Sequence, residues 1–184
     1  RGDIYLSGYW QTEKYFHAIR ETLLRDFAFK EPVDPENARV LSMIMTVESV
    51  SLHIRRGDYV NNPAIREIHN CCDAEYYARA IGIIKERLAS PHFFIFSDDP
   101  DWVRDNFRVP GPMTIVANNS GRRDHEDMRL MSACRHNILA NSSFSWWSAW
   151  LNQYSDKIVI VPQRWYNSEK FSTRDLLPSE WLKI

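Results

Sequence analysis

Residues 50–58 read Val-Ser-Leu-His-Ile-Arg-Arg-Gly-Asp, and this stretch decides how the rest of the chain is interpreted. Its first five residues form a short, largely apolar run, which is typical of a strand buried inside a parallel sheet. Similar runs predict further strands at residues 93–96, 113–117, 138–140 and 158–161. Helical patterns separate these strands at residues 73–88, 99–106, 125–135 and 143–151. The alternation predicts an α/β, Rossmann-like, mostly parallel sheet with flanking helices.

The sequence before residue 49 has a different character. Residues 1–48 are predicted as a helical segment, with an amphipathic helix at residues 12–27 and a second helix that starts at Asp34 and runs towards Val47. Residues 49–184 are predicted as the Rossmann-like domain. Within it, residues 57–63 are rich in Asn and Pro and are predicted as a loop.

Composition excludes several classes of protein. The net charge of −1 leaves no surplus of cations, which argues against a sequence-independent nucleic-acid binder. Cys71, Cys72 and Cys134 form neither a disulfide framework nor a zinc spacing, so a reducing, cytoplasmic setting is expected. No apolar run approaches the roughly 20 residues that span a bilayer.

The arginine pair after the first strand is the leading candidate for anion binding. Ligands of open parallel sheets bind beyond the carboxyl ends of the strands, where Arg55 and Arg56 stand. Guanidinium groups grip phosphate oxygens with paired hydrogen bonds, Gly57 permits a sharp turn, and Asp58 can orient one arginine. A solvated strand end with a surface ion pair is the alternative.

A second candidate anion site follows the strand at residues 138–140. Asn141, Ser143 and Ser145 open a helix, whose free N–H groups and positive dipole end attract anions. The same residue types also simply cap helices, so both interpretations stay open. The tryptophans of this helix are predicted to pack in the core rather than to stack on a sugar.

Acidic residues mark two further positions. Asp99-Pro100-Asp101 spells the Asp-x-Asp pattern of metal-dependent sugar-nucleotide transferases, but Asp99 followed by Pro100 is also a good helix start, which we favour. Asp127 lies in an acidic first turn, where carboxylates usually interact with the helix dipole. It could instead accept hydrogen bonds from the edge of a nucleobase.

Taken together, these motifs resemble glycosyltransferase family 11, the α-1,2-fucosyltransferases. They resemble the bacterial members of the family more than the animal members. The resemblance spans essentially the whole chain and is carried by residues 8–16, 53–59, 93–100, 127–152 and 157–165. The block Asn-Ser-Ser-Phe-Ser-Trp-Trp is its most specific part. The glycine-rich N-terminal part of the family is absent from this sequence.

The resemblance implies inverting transfer of L-fucose from GDP-β-L-fucose to the 2-hydroxyl of a galactose-type acceptor. The chain would be the donor-binding lobe of a GT-B-like fold, working without a metal or other cofactor. Its partners would be the nucleotide sugar and an oligosaccharide acceptor, with no nucleic acid and with peripheral membrane association left open. A non-catalytic GDP-sugar or glycan-binding fragment and a metal-dependent transferase are the alternatives.

The resemblance also implies roles for individual residues. Arg55 would be the principal diphosphate contact, supported by Arg56, which would be ion-paired with Asp58; these three form the predicted catalytic set. Asp127 would read the guanine edge. No general base is assignable among Asp58, Asp98 and Asp99. The remaining predicted donor-binding residues are His53, Asp99, Asn141 and the phosphate-binding candidates Ser143 and Ser145.

Overall fold

Parallel strands form a single sheet in the computed structural model, which describes residues 2–5, 7, 12–69, 72–119, 121, 123–167 and 172–184. Along the chain the strands are β1 (Glu48–Ile54), β2 (Pro91–Ser97), β3 (Met113–Val116), β4 (His136–Ile138), β5 (Val159–Val161) and β6 (Leu182–Lys183). The spatial order is β3-β2-β1-β4-β5-β6, and every neighbouring pair is parallel. The predicted α/β fold class is therefore confirmed.

The central strand β1 has two different faces. Alternate side chains point to opposite faces of a strand, so Val50 and Leu52 lie in the core on one face. Ser51 and His53 lie on the other face, where Ser51 Oγ accepts a 2.7 Å hydrogen bond from Asn137 Nδ2. Both faces are buried, as a parallel sheet requires.

Helices cover the Val50 face of the sheet after the first and second strands. Two short helices, α3 (Gly57–Asn61) and α4 (Pro63–Ile68), lead to α5 (Ala74–Arg87), whose apolar face packs on β1 and β2. The next helix on this face, α6 (Pro100–Asn106), begins at Asp99, whose carboxylate accepts a hydrogen bond from Trp102 N. Asp99 is thus a helix cap, as expected.

The opposite face is covered by helices from both ends of the chain. Ile44 of α2 (Pro35–Thr46) and Leu130 of α7 (Asp124–Ala133) are buried against Phe94 and Phe96 of β2. The last helix, α8 (Ser143–Leu151), places Trp146 and Trp150 in a separate apolar cluster with the C-terminal segment. Both indole rings are almost completely buried, so the prediction that the tryptophans of α8 pack in the core is confirmed for these two, while Trp147 is half-buried against the same cluster.

Two sequence-based predictions of local structure were wrong. Residues 12–27 form two 3₁₀ turns, Glu13–Tyr15 and His17–Ile19, before the short helix α1 (Arg20–Asp26), so no continuous helix is present there. The predicted loop at residues 57–63 contains α3 and the start of α4. The Asn62 carboxamide oxygen accepts from two backbone N–H groups, and the following proline fits the first turn, so these residues start a helix.

Three further points concern strand β6, the residues that the structure does not describe and membrane-spanning helices. Strand β6 carries no periodic pattern because it is only two residues long, and it was not predicted. Cys71 and residues 8–11 lie outside the described residues. Within the described part of the chain, no helix combines the length and the apolar character needed to cross a membrane.

Candidate functional site

A pocket of about 330 Å³ opens at the carboxyl ends of β1, β2 and β3. The pocket therefore lies at the edge of the sheet where ligands of parallel α/β folds bind. Side chains that follow each of these strands form its walls, together with the first turns of α7 and α8. The lining residues are His53, Arg55, Ser97, Asp98, Pro100, Val116, Ala117, Asn119, Gly121, Asp124, Asp127 and Phe144.

Arg55 stands where β1 ends, and two carboxylates hold its guanidinium group. Its Nη2 lies 2.6 Å from Asp58 Oδ1, and its Nη1 lies 3.0 Å from Asp98 Oδ2. The guanidinium carbon also lies 5.6 Å from the centre of the Tyr59 ring. We refer to Arg55, Asp58 and Asp98 as the arginine side of the pocket. Arg55 is the predicted diphosphate ligand that the structure places in the pocket wall.

Arg56 points away from the pocket, and the predicted ion pair between Arg56 and Asp58 was wrong. Its Nε lies 3.2 Å from Asp99 Oδ2, and its guanidinium carbon lies 3.6 Å above the Trp102 ring. Its backbone N–H donates to Asp98 Oδ1 at 2.9 Å. The turn after β1 aims adjacent side chains in different directions, so Asp58 is left to pair with Arg55.

Gly57 allows Asp98 to approach this turn closely. A Cβ atom at residue 57 would overlap Asp98 Oδ2 and lie 3.2 Å from its Cγ. The Asp98 carboxylate thereby reaches both the Arg56 N–H group and the Arg55 guanidinium group. Glycine at this position leaves the space into which the Asp98 side chain reaches.

Asp99 and Asp101 lie outside the pocket wall. Both oxygens of the Asp99 carboxylate are engaged, one by Trp102 N and the other by Arg56 Nε, and Asp101 pairs with Arg104. Asp99 was predicted to bind the donor, but its side chain caps α6 and holds Arg56. Among the described residues, no group of three or more His, Cys, Asp or Glu side chains is arranged to hold a metal ion.

His53 forms the buried floor of the pocket. Burial, and secondarily the charge of Arg55, lower its pKa to about 3, so the imidazole is neutral at physiological pH. The ring centre lies 5.8 Å from that of Phe144. Its Nδ1 atom is buried and lacks a hydrogen-bond partner within the described part of the chain. A bound ligand is therefore one source of a partner for this atom.

Asp127 of α7 brings a half-buried carboxylate to the pocket. Burial raises its pKa to about 6, a hydrogen bond from Asn119 opposes this rise, and the charges of Asp124 and Glu126 add to it. Asn119 Nδ2 donates to Asp127 Oδ1 at 2.8 Å. We refer to Asn119, Asp124 and Asp127 as the amide side of the pocket.

Sequence reasoning missed Asn119. The residue follows β3 after Ala117 and Asn118, and its side chain is only 5% exposed. It exchanges hydrogen bonds with Asn37, which is 82 residues away along the chain. The available signal was its position beyond a predicted strand end, but asparagine is common in such turns, so that signal was weak.

The two phosphate-binding candidates at the start of α8 lie in different surroundings. Ser145 is completely buried outside the pocket wall, and its single O–H proton is shared between the carbonyls of Ala140 and Ser142. Asn141 is also buried; its Nδ2 donates to the carbonyl of Trp165. The Asn141 side chain is therefore bonded within the fold and does not line the pocket. Ser143 is exposed at the first position of α8.

The site therefore combines one guanidinium group with several carboxylates. In the described pocket wall, Arg55 contributes the positive charge, and Asp98, Asp124 and Asp127 contribute carboxyl groups. A ligand that suits both sides must carry an anionic group for Arg55 and N–H donors for a carboxylate. A purine nucleotide whose base presents N–H groups along one edge meets both requirements.

Comparison with known proteins identifies the class of protein. The sequence pattern of glycosyl transferase family 11 matches residues 2–184, so this chain belongs to that family. It is 38% identical to an alpha-1,2-colitosyltransferase of Escherichia coli over all of the chain and 63% of that relative. It is also 26% identical to human galactoside alpha-(1,2)-fucosyltransferase 1 over 79% of the chain and 42% of the human enzyme.

The chain spans only part of these relatives. It covers 44% of the O-antigen biosynthesis glycosyltransferase WbnK of Escherichia coli, at 38% identity over 74% of the chain. Among solved structures, the fucosyltransferase NodZ from Bradyrhizobium is similar with a TM-score of 0.39 and 13% identity over 74% of this chain and 58% of NodZ. That likeness is too weak to transfer any residue position.

Proposed function

We propose that this chain binds GDP-L-fucose and forms the donor-binding part of an inverting α-1,2-fucosyltransferase with a GT-B-like fold. The observation that carries the proposal is the pocket at the carboxyl edge of the sheet, which combines Arg55 with the half-buried carboxylate of Asp127. Membership of glycosyl transferase family 11 supports it. So do relatives whose names specify transfer to the 2-position.

The diphosphate of the donor binds at the arginine side. Arg55 is held by Asp58 and Asp98, so one of these carboxylates must give way to a phosphate group. Asp58 is the one that leaves, because its side chain is 41% exposed and stands on the short helix α3. Asp98 stays in place, because it also accepts the backbone N–H of Arg56.

The guanine base binds at the amide side. The ionised carboxylate of Asp127 accepts hydrogen bonds from the N1–H and 2-amino groups of guanine, which form one edge of that base. Adenine presents a lone pair at N1 and therefore repels the same carboxylate. The pocket thus selects guanine through one acidic side chain.

The reaction develops negative charge on the leaving diphosphate. The bond from fucose C1 to the β-phosphate oxygen breaks, the acceptor 2-oxygen attacks C1 from the opposite face, and its proton passes to solvent or to a base that is not assigned here. Arg55 stabilises the growing charge on GDP before and during bond cleavage. Such preorganised donors are often the largest single contribution to catalysis. No metal or other cofactor is required in this proposal.

Two alternatives are supported by specific observations. The 38% identity to an alpha-1,2-colitosyltransferase favours colitose as another transferred sugar. Coverage of only 42–63% of the relatives' length favours a fragment that binds the donor without turnover. The acceptor, the cytoplasmic location and contact with a membrane stay predictions.

The test is a transfer assay in EDTA with GDP-L-fucose and a β-galactoside acceptor. It is run on this chain and on a longer version that restores the full length of the relatives. We expect an α-1,2-linked fucosyl product from the longer protein, identified by NMR, and loss of that product in Arg55→Lys. Transfer from a colitose donor alone would favour the first alternative. Donor binding without any product would favour the second, and transfer that depends on added metal would contradict the metal-free proposal.

A further inference from the structure

The carboxylate of Asp127 is connected to the start of helix α2 by a series of buried amides. Asn119 Nδ2 donates to Asp127 Oδ1 at 2.8 Å and to Asn37 Oδ1 at 2.9 Å. In return, Asn119 Oδ1 accepts from Asn37 Nδ2 at 2.8 Å. The two amides therefore form a reciprocal pair in which both N–H groups of Asn119 are used.

The far end of this series is anchored by a helix cap. Asn37 is completely buried, and its Nδ2 donates to Asp34 Oδ2 at 2.7 Å. Asp34 also caps α2, because its Oδ1 accepts from the backbone N–H groups of Glu36 and Asn37. Both N–H groups of the Asn37 side chain are thus used, and the two amides donate outwards to a carboxylate at each end, Asn37 to Asp34 and Asn119 to Asp127.

We propose that Asn37 and Asn119 are positioning residues that hold the Asp127 carboxylate in the orientation and ionised state that select the base of the donor. The proposal rests on the proposed function, in which Asp127 binds guanine. Neither asparagine needs to touch the base. They act through Asp127, so the guanine selectivity of the pocket depends on a helix that precedes the first strand.

The charges around Asp127 explain why this support matters. Asp124 and Glu126 on α7 both raise its pKa, and burial raises it further. The hydrogen bond from Asn119 acts in the opposite direction and lowers that pKa. The other charged or titratable groups of the pocket wall are His53, which is neutral, Arg55 and Asp98; Asp34 faces the far end of the amide series.

The experiment compares Asn119→Ser and Asn37→Ser with Asn137→Ser. Asn137 is a suitable control because it is another fully buried amide; it bonds Ser51, Asn152 and the carbonyl of Met131, none of which lines the pocket. The first readout is the titration of the Asp127 carboxyl group by ¹³C NMR in the nucleotide-free protein. The second is the ratio of affinities for GDP and for inosine diphosphate, which lacks the 2-amino group.

We expect Asn119→Ser to move the Asp127 midpoint upwards from about 6, and Asn37→Ser to move it in the same direction by less. Inosine diphosphate lacks one charge-assisted hydrogen bond to Asp127, so the wild-type chain should bind GDP about tenfold or more tightly than inosine diphosphate. Both variants should reduce this preference severalfold. Asn137→Ser should change neither readout. If Asn119→Ser does not fold, the comparison of Asn37→Ser with Asn137→Ser provides the test.

The proposal would be overturned if Asn119→Ser and Asn37→Ser both fold and both keep the wild-type midpoint and the wild-type affinity ratio. So would an equal shift in Asn137→Ser, because the effect would then be a general consequence of losing a buried amide. If the midpoint shifts as expected in the two variants but the wild-type chain does not bind GDP, the proposed function is overturned and with it the base-selecting role. The carboxyl titration separates these two failures because it needs no nucleotide.

Discussion

The two sides of the pocket are built in opposite ways. The arginine side is assembled from charged residues close to the ends of two adjacent strands, with Arg55 and Asp58 only three residues apart. On the amide side the Asp127 carboxylate is held by a neutral side chain, Asn119, whose own partner Asn37 lies 82 residues away along the chain. One side is held by ion pairs at the surface of the pocket, and the other by buried hydrogen bonds.

This difference indicates which contacts on each side of the pocket can change when a ligand binds. Asp58 is partly exposed, so water can hydrate its carboxylate when a phosphate group takes its place at Arg55. Asn37 and Asn119 are buried, so a missing partner leaves a polar group without water or protein, which costs about 1–3 kcal/mol. We therefore expect the arginine side to rearrange on ligand binding and the amide side to remain fixed.

The largest expected effect is at Arg55 of the arginine side. Arg55→Ala should weaken GDP binding by about a hundredfold or more, because two charge-assisted hydrogen bonds contribute roughly 1.5–3 kcal/mol each. Arg56→Ala should weaken binding by less than about tenfold, since Arg56 acts only through Asp99, Trp102 and its backbone. Titration calorimetry measures both. Equal losses would show that the two arginines share the phosphate.

Asp127 should control how stability depends on pH. Its pKa rises from 3.8 to about 6 on folding, so the folded chain binds more protons than the unfolded chain between these values. The free energy of unfolding contributed by Asp127 therefore falls as the pH rises through that window. Asp127→Asn should be more stable than wild type at pH 7–8 by on the order of 2 kcal/mol, with the difference vanishing near pH 3.5.

The measurement for Asp127 is urea unfolding at several pH values. A stability difference that does not change with pH would contradict the assignment, because the substitution would then act through packing alone. The same variant should bind GDP more weakly at pH 7–8, since a neutral amide is a poorer acceptor for guanine than a carboxylate.

Gly57 tests whether Asp98 must approach the turn after β1. Gly57→Ala places a methyl group against the Asp98 carboxylate and should displace it from Arg55, at a cost of about 1 kcal/mol and roughly fivefold in GDP affinity. Gly82 is the matched control, because a Cβ there meets nothing within 4 Å. Gly82→Ala lies inside α5 and should stabilise the chain by about 0.5–1 kcal/mol without changing affinity. Thermal unfolding and calorimetry together distinguish the two.

The smallest effects separate the two carboxylates of the arginine side. Asp58→Asn removes a competitor of the diphosphate and should leave GDP affinity unchanged or raise it by up to about threefold. Asp98→Asn should lower affinity by about threefold, because Asp98 orients Arg55 and holds the turn. Equal losses in both variants would contradict the exchange of Asp58 for phosphate.

The sequence predicts the sheet and the position of Arg55 at a strand end, but not which carboxylates pair with that arginine, and there is a physical reason for the difference. Buried strands and permanent charges leave patterns that are local along the chain, and Arg55 therefore fell at a predicted strand end. The direction of the Ser145 side chain could not be predicted, because the same residue type can bond a ligand or the neighbouring carbonyls. Asn119 was missed because its partner is remote in sequence. Alternation of residue types cannot reveal such a contact.

The most direct test of the account is a pair of calorimetric titrations of the wild-type chain in EDTA, one with GDP and one with ADP. We expect saturable binding of one GDP per chain and at least about tenfold weaker binding of ADP, because adenine cannot donate two hydrogen bonds to Asp127. Absence of GDP binding by the folded chain would contradict the assignment of the pocket. Equal affinities for GDP and ADP would contradict the division into a phosphate-binding arginine side and a base-selecting amide side.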